Sequence, residues 1–326
     1  MRYVVYGVGA VGGVIAGHLR RTGHPVTLVA RGDHLAAIRA HGLTLDTYEA
    51  TYTVDAPATD TGADVDWTED TVVVLAVKSQ HTPHVLADLV RHAPPATPVL
   101  TAQNGVANEP EVLRRFARTY GVLVMLPATH LVPGVVVQKC HPVPGMLDLG
   151  RVPGGTDELC AAVAADLRTA GFGSQVRPDI MAWKHRKLLM NLGNAVDATC
   201  APGAAADELV ERARAEGEET LRAAGIPVVD AEQDEARRGD VLQPRPTGQP
   251  PRGGSTWQSL SRGADGTEVD HLSGEIVLQG RLHGIATPVN ELLLDTVHDV
   301  VRRGAPPRSL DAADLLSRLS PRRPAR

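Results

Sequence analysis

The chain has 326 residues, 38 of them acidic and 33 basic, for a net charge of -5; 43% are apolar and only 3% aromatic. That length exceeds one ordinary core and predicts two domains packed from Ala, Val, Leu and Ile. The acidic balance argues against a nucleic-acid partner, and no apolar run reaches the roughly 18 residues of a membrane helix. Cys140, Cys160 and Cys200 are too scattered for a zinc site or a disulfide framework, so no metal is expected. A cytoplasmic, reduced compartment is the default, because the apolar stretch Val4–Leu19 lacks a signal peptide's basic start and cleavage region.

In chain order, the first half alternates strand and helix patterns. Arg2–Tyr6 is a β-rich run ending in glycines, Ala10–Thr22 reads as a helix and Pro25–Ala30 as a second strand. Thr71–Val77 is an unbroken apolar run, as in strands buried on both faces. Helix Pro83–His92 and strand Pro98–Ala102 follow; then a helix capped by Asn108, with Glu111 as capping-box partner, and strand Val122–Leu126. This order predicts a parallel, doubly wound sheet. Val132–Lys139 and Met146–Leu149, joined through Pro142–Gly145, read as a late hairpin; Asp157–Ala170 reads as a helix and Ser174–Arg177 as a closing strand. Beyond Asp179 helical periodicity takes over, at Ile180–Asp197, Ala205–Ala224, Ala231–Gly239, Glu268–His283 and Asn290–Arg303, broken by a Pro- and Gly-dense loop at Gln243–Gly254. The expected fold is α/β: a Rossmann-type domain over 1–178, an all-helical substrate domain over 179–305, and a basic tail over 306–326 expected to be flexible.

Gly7-Val8-Gly9-Ala10-Val11-Gly12 is a G-x-G-x-x-G run between the first strand and the first helix. In that context Gly7 makes the tight turn, Gly9 lets the backbone approach a pyrophosphate, and Gly12 allows close helix–strand packing. The phosphates would sit on free N–H groups at the helix start. The second strand ends in Val29-Ala30-Arg31-Gly32, with Arg31 where NAD enzymes place an acid, and an arginine there suits the 2′-phosphate of NADP. Asp33 comes two residues late and could cap the next helix. Lys78 and Asn104 end adjacent strands at the carboxyl edge, where such sheets bind ligands; taken singly, each could be a surface lysine or an ordinary Asn-Gly turn.

At this point the sequence resembles the ketopantoate reductases. The resemblance rests on the N-terminal glycine run, Ala76-Val77-Lys78, Gln103-Asn104-Gly105, Lys187-Leu188-Leu189-Met190-Asn191, Thr267-Glu268-Val269-Asp270, and His283 through Asn290, in that order. It implies NADPH-dependent reduction of 2-dehydropantoate to pantoate, a step toward coenzyme A. It also implies Lys187 as proton donor, Glu268 as helping to bind substrate and supporting catalysis, Asn104 in contact with cofactor and substrate, and a substrate-binding position at Thr256 beside Ser255. The family helix commonly continues Asn-Pro-Leu-Thr, whereas this chain has Asn194-Ala195-Val196-Asp197, and Trp183 stands four residues before Lys187. These departures put the exact 2-oxo acid in doubt.

Hydride transfer to a ketone leaves an alkoxide that needs a proton donor, and the substrate carboxylate needs hydrogen-bond donors. Lys187 and Asn191, four apart, share a helix face, and Asn194, seven along, continues it. Lys184-His185-Arg186 reads as a solvated basic run. Glu268 has a bland reading too: Thr267 caps, Asp270 completes the box, and Glu268 favours the helix dipole. The expected activity is NADP(H)-dependent reduction of a small 2-oxo acid, with no membrane partner and a homodimer left open. The alternatives are a related reductase of another 2-oxo acid or an imine in secondary metabolism, and a non-catalytic NADPH-sensing protein.

Overall fold

The computed structural model describes residues 1–246, 253–261, 263 and 266–319. Two compact units divide the chain: Met1–Lys184 with Asp230–Thr247, and His185–Val229 with Gly248–Arg326. The boundary thus falls six residues after the expected 178, and a segment from the later half belongs to the first unit.

In the first unit β1 (Arg2–Tyr6), α1 (Ala10–Arg21), β2 (Val26–Val29) and α2 (Gly32–His41) open the chain, followed by short strands β3 (Leu43–Asp46), β4 (Thr51–Val54) and β5 (Ala58–Thr59). Next come β6 (Thr71–Leu75), α3 (Thr82–His92), β7 (Val99–Thr101), α4 (Asn108–Leu113) and β8 (Thr119–Met125). Strands β9 (Ala128–Thr129), β10 (Val135–Gln138), β11 (Cys140–Pro142) and β12 (Met146–Arg151) and helix α5 (Glu158–Thr169) complete the run. Seven strands form one sheet in the order β12-β8-β7-β6-β1-β2-β5. It is parallel except for β12, which runs antiparallel to β8. Alternate residues explain the unbroken apolar runs. Tyr3, Val5, Val72 and Val74 pack into one core, while Val4, Tyr6, Val73 and Leu75 pack into another on the opposite face.

Two expectations about this unit need correction. Val132–Lys139 and Met146–Leu149 do not form a hairpin: β10 pairs parallel with β3 in a second, four-stranded sheet, and β12 joins the main sheet. Ser174–Arg177 runs beside β12 through the Leu149–Val176 bridge without forming a strand of its own. The second sheet also explains glycines that the cofactor motif leaves over. A Cβ on Gly13 would meet Val136 Cγ1 at 2.5 Å, and one on Gly17 would meet Leu45 Cδ2 at 2.9 Å, so α1 lies tight against β10 and β3.

Helix α6 (Ile180–Asn191) begins in the first unit and ends in the second. The second unit continues with α7 (Gly193–Thr199) and α8 (Ala204–Ala223). Returning to the first unit, α9 (Ala231–Arg238) and β13 (Leu242–Pro244) follow; Arg237 grips the buried Asp148 with Nη2 and Nε at 2.6 and 2.8 Å, and β13 pairs with β11. Part of the expected loop Gln243–Gly254 is therefore a strand, and residues 247–252 of it lie outside the described residues. Back in the second unit, α10 (Ser255–Ser261), a 3-10 turn Glu268–His271, α11 (Ser273–His283), α12 (Pro288–Arg303) and α13 (Ala312–Leu319) complete the chain. Gly217 lets α8 press on Leu189 and Leu192, since a Cβ there would sit 2.9 and 2.8 Å from their methyls. The reading of 306–326 as a flexible tail is corrected for its described part. Arg308 Nη2 bonds Asp197 Oδ1 at 2.6 Å, Leu310 bridges Cys200, and α13 buries Leu315. No helix among the described residues is long and apolar enough to cross a membrane.

Candidate active site

The glycine loop takes the shape its sequence calls for. Gly7 has φ +92°, and a Cβ on it would lie 2.6 Å from Val77 N. At Gly12 a Cβ would collide with the Gly7 carbonyl and meet Ala76 Cβ at 2.9 Å, so α1 starts hard against the end of β6. Gly9 is the N-cap of α1 with no side-chain cap, and an added Cβ there would project into open space, with nothing within 4 Å. A helix N-terminus without a side-chain cap, opened by a bare glycine, fits a dinucleotide pyrophosphate. Val8, Ala10 and Val11 complete the loop, Val8 being fully buried. Arg31 is exposed and is itself the N-cap residue of α2, with Gly32 at φ +55° beside it; Asp33 lies in the first turn and does not cap.

A polar network joins the strand ends that carry Lys78 and Asn104. Gln103 Nε2 donates to Val77 O at 2.8 Å and to Thr82 Oγ1 at 2.9 Å. The Thr82 hydroxyl donates to Asn108 Oδ1 at 2.8 Å, and Asn108 Nδ2 donates to Ser79 Oγ at 3.0 Å. Asn108 is therefore a buried tie between loops and not the expected cap, a place taken by Ala107. Lys78 and Asn104, both half-buried, stand on the two loops so joined, and Gly105 turns the second at φ +76°.

Lys184 overturns its reading as a solvated residue. It is 3% exposed. Its Nζ lies 2.8 Å from Glu109 Oε1, 2.8 Å from Gln103 O and 3.0 Å from Val122 O. An ammonium has three N–H donors, and three acceptors are in place. Glu109, wholly buried, also accepts from Thr101 Oγ1 at 2.6 Å. The pair fixes the start of α6 against the main chain next to Asn104. Arg186 is not solvated either: it donates to Val229 O at 2.6 Å and pairs with Glu218.

In the second unit Lys187 is half-buried and Asn191 is buried, one turn apart on α6. Asn191 Nδ2 has no hydrogen-bond partner among the described residues. The helix is interrupted at Leu192, itself in right-handed helical conformation, so Asn194 sits on α7 and not on α6 with Lys187. Asn194 instead borders α10: its Oδ1 would be 3.3 Å from a Cβ on Gly254, whose N–H donates to Asp197 Oδ2 at 2.7 Å. Ser255 opens α10, half-buried, and Thr256 is buried behind it. Glu268 is 5% exposed in the 3-10 turn capped by the Thr267 hydroxyl, which accepts from Val269 N; Asp270 does not close a capping box but meets His298 at 2.9 Å. Among the described residues no group of three or more His, Cys, Asp or Glu could hold a metal ion. The three cysteines are buried and unpaired, and burial pushes the Cys140 and Cys160 thiols up to about 11.

A parallel sheet whose first turn is an open glycine cradle, followed in the chain by a helical unit, defines a dinucleotide-binding oxidoreductase. The comparisons give the family. The model of the ketopantoate reductase PanE/ApbA matches residues 3–154, and that of its C-terminal part matches residues 179–301. The 2-dehydropantoate 2-reductase of Halobacterium salinarum is 34% identical over 93% of this chain and 100% of its own; that of Pyrococcus horikoshii is 27% identical over 90% and 95%. A PanE/ApbA family ketopantoate reductase from Ralstonia eutropha superposes with a TM-score of 0.79 at 27% identity, over 93% of this chain and 99% of that one. A D-mandelate dehydrogenase solved with NADH and anilino(oxo)acetate shares the fold, with a TM-score of 0.78 at 22% identity. The chain belongs to the ketopantoate reductase family.

Proposed function

We propose that the protein reduces a small 2-oxo acid to the 2-hydroxy acid with NADPH, 2-dehydropantoate being the first substrate to try. The observation that carries this reading is the amide of Asn191. It is buried, its Nδ2 is unpartnered among the described residues, and it stands one turn from Lys187 on the same helix. A buried donor left unsatisfied is costly, and a substrate oxygen would satisfy it.

Bound NADPH would supply a hydride to the ketone carbon. Lys187 Nζ would give the proton that turns the resulting alkoxide into a hydroxyl. Lys184 is a poor donor for that step, because Glu109 and two carbonyls take its three N–H groups. Asn191, Asn194, Ser255 and Thr256 would hold the substrate, and Glu268 would orient its polar groups. Arg31 supports NADPH over NADH through its exposed guanidinium at the end of β2, with Gly7–Gly12, Lys78 and Asn104 completing the cofactor contacts.

The test is oxidation of NADPH and NADH with a panel of 2-oxo acids that includes 2-dehydropantoate. Turnover of one 2-oxo acid, faster with NADPH, is expected. Tight NADPH binding with no member of the panel reduced would replace this reading with the non-catalytic sensor.

A further inference from the structure

We propose that His34 is a positioning residue for the cofactor, a neutral imidazole that bridges the glycine loop to the second sheet and so fixes the direction of the Gly9 N–H. The proposal rests on the dinucleotide reading of that loop. His34 Nε2 lies 2.7 Å from the Val8 carbonyl, and the Gly134 N–H lies 2.8 Å from His34 Nδ1. These partners settle the tautomer. A carbonyl only accepts, so Nε2 carries the hydrogen; the Gly134 amide only donates, so Nδ1 is bare. Gly134 is fixed in turn, since its carbonyl accepts from Thr44 N at 2.8 Å where β10 meets β3.

The consequence for the loop follows from peptide geometry. The Val8–Gly9 bond is not among the cis peptides, and in a planar trans unit the N–H points opposite to the C=O. Holding Val8 O on His34 therefore turns Gly9 N–H away from His34, at the residue where the space for a Cβ is open. The imidazole thus sets the orientation of the one peptide at the centre of the phosphate cradle.

Only the neutral ring ties both segments together, because a proton on Nδ1 would face the Gly134 N–H donor to donor and leave the ring attached to Val8 O without its anchor on the second sheet. Desolvation by burial holds the His34 pKa below its usual value, helped by His130 and opposed by the bond to Val8 O. A lowered pKa means the bridge is intact above the ordinary histidine value and is lost as pH falls. The His130 ring packs 4.1 Å from His34 and donates from Nδ1 to Val135 O at 3.0 Å. Arg31 and Asp33 flank it on its own helix, while Gly7–Gly12 and Leu131–Gly134 bring no charged side chain.

The experiment measures NADPH and NADH dissociation constants by cofactor fluorescence for the wild type, His34→Ala and His34→Gln. A glutamine offers one amide donor and one acceptor and never charges. His34→Ala should weaken binding of both cofactors about tenfold, the scale of one or two neutral hydrogen bonds, and His34→Gln should stay within about twofold. As pH falls below the ordinary histidine value of about 6.5, the wild type should lose affinity that His34→Gln keeps, and with NADH the titrating 2′-phosphate is absent. Thermal melts check folding; if His34→Ala does not fold, the wild-type and His34→Gln pH profiles still decide. Wild-type affinity in His34→Ala, or identical pH profiles for the wild type and His34→Gln, would overturn the proposal. A wild type that binds neither cofactor would overturn the dinucleotide reading itself and this inference with it.

Discussion

On either side of the unit division, α6 carries lysines three residues apart and in contrasting states. In the part held by the first unit, Lys184 is buried, with a carboxylate and two carbonyls around its ammonium. In the part belonging to the second unit, Lys187 is half-buried, one turn from an amide whose nitrogen has no partner among the described residues. Spacing along a helix sets which residues share a face, but the acceptors that distant segments bring decide whether a lysine is a rivet or a reagent. Here one part is anchored, and the other carries the polar groups proposed to meet the substrate.

The contrast breaks most readily at Lys187. Lys187→Ala should lower kcat by roughly 10²–10⁴-fold, the range for losing a general acid, with the NADPH dissociation constant unchanged. A near-normal kcat would show that the proton comes from elsewhere. Lys184 should fail in a different currency. Lys184→Met leaves Glu109 buried and unpaired, which costs about 3–5 kcal/mol and should lower the melting temperature by on the order of 10 °C. Adding Glu109→Gln should restore much of that loss. If Lys184→Met melts like the wild type and is catalytically dead, the two roles are reversed. Arg31 lies outside α6 and serves as the control. Arg31→Ala should raise the KM for NADPH by about tenfold or more, the worth of a charge-assisted pair, and leave the KM for NADH alone. The smallest change is expected at Asn191. Asn191→Ala should raise the KM for the 2-oxo acid by about tenfold, with little effect on kcat if the amide holds ground state and transition state alike. A fall in kcat at unchanged KM would instead place Asn191 beside Lys187 in the chemistry.

The parts of this arrangement legible in the sequence are those written locally. The glycine run, the apolar β6 and Arg31 after β2 each declare themselves within a few residues, and the structure keeps them where they were read. The partners of Lys184 lie 62 and 81 residues away at Val122 and Gln103, so nothing near position 184 signals its burial. The second sheet was missed for a similar reason. Its strands β3, β4 and β9 are two to four residues long, and β10 finds its parallel partner at Thr44–Asp46, far back in the chain, instead of in the neighbouring β12. His34 follows from that sheet: without Gly134 fixed beside β3, a histidine in the first turn of a helix carries no message.

The return of Asp230–Thr247 to the first unit bears on how this chain can be cut and recombined. The backbone passes between units at 184/185, 229/230 and 247/248, so the first unit is not a contiguous cassette. A fragment ended at the sequence boundary would strip Arg237 from Asp148, which is 1% exposed, and leave that carboxylate to Arg177 and the Gln175 N–H; it would also take β13 from β11. A chimaera that exchanges cofactor specificity between relatives would therefore have to carry α9 and β13 along with the glycine loop.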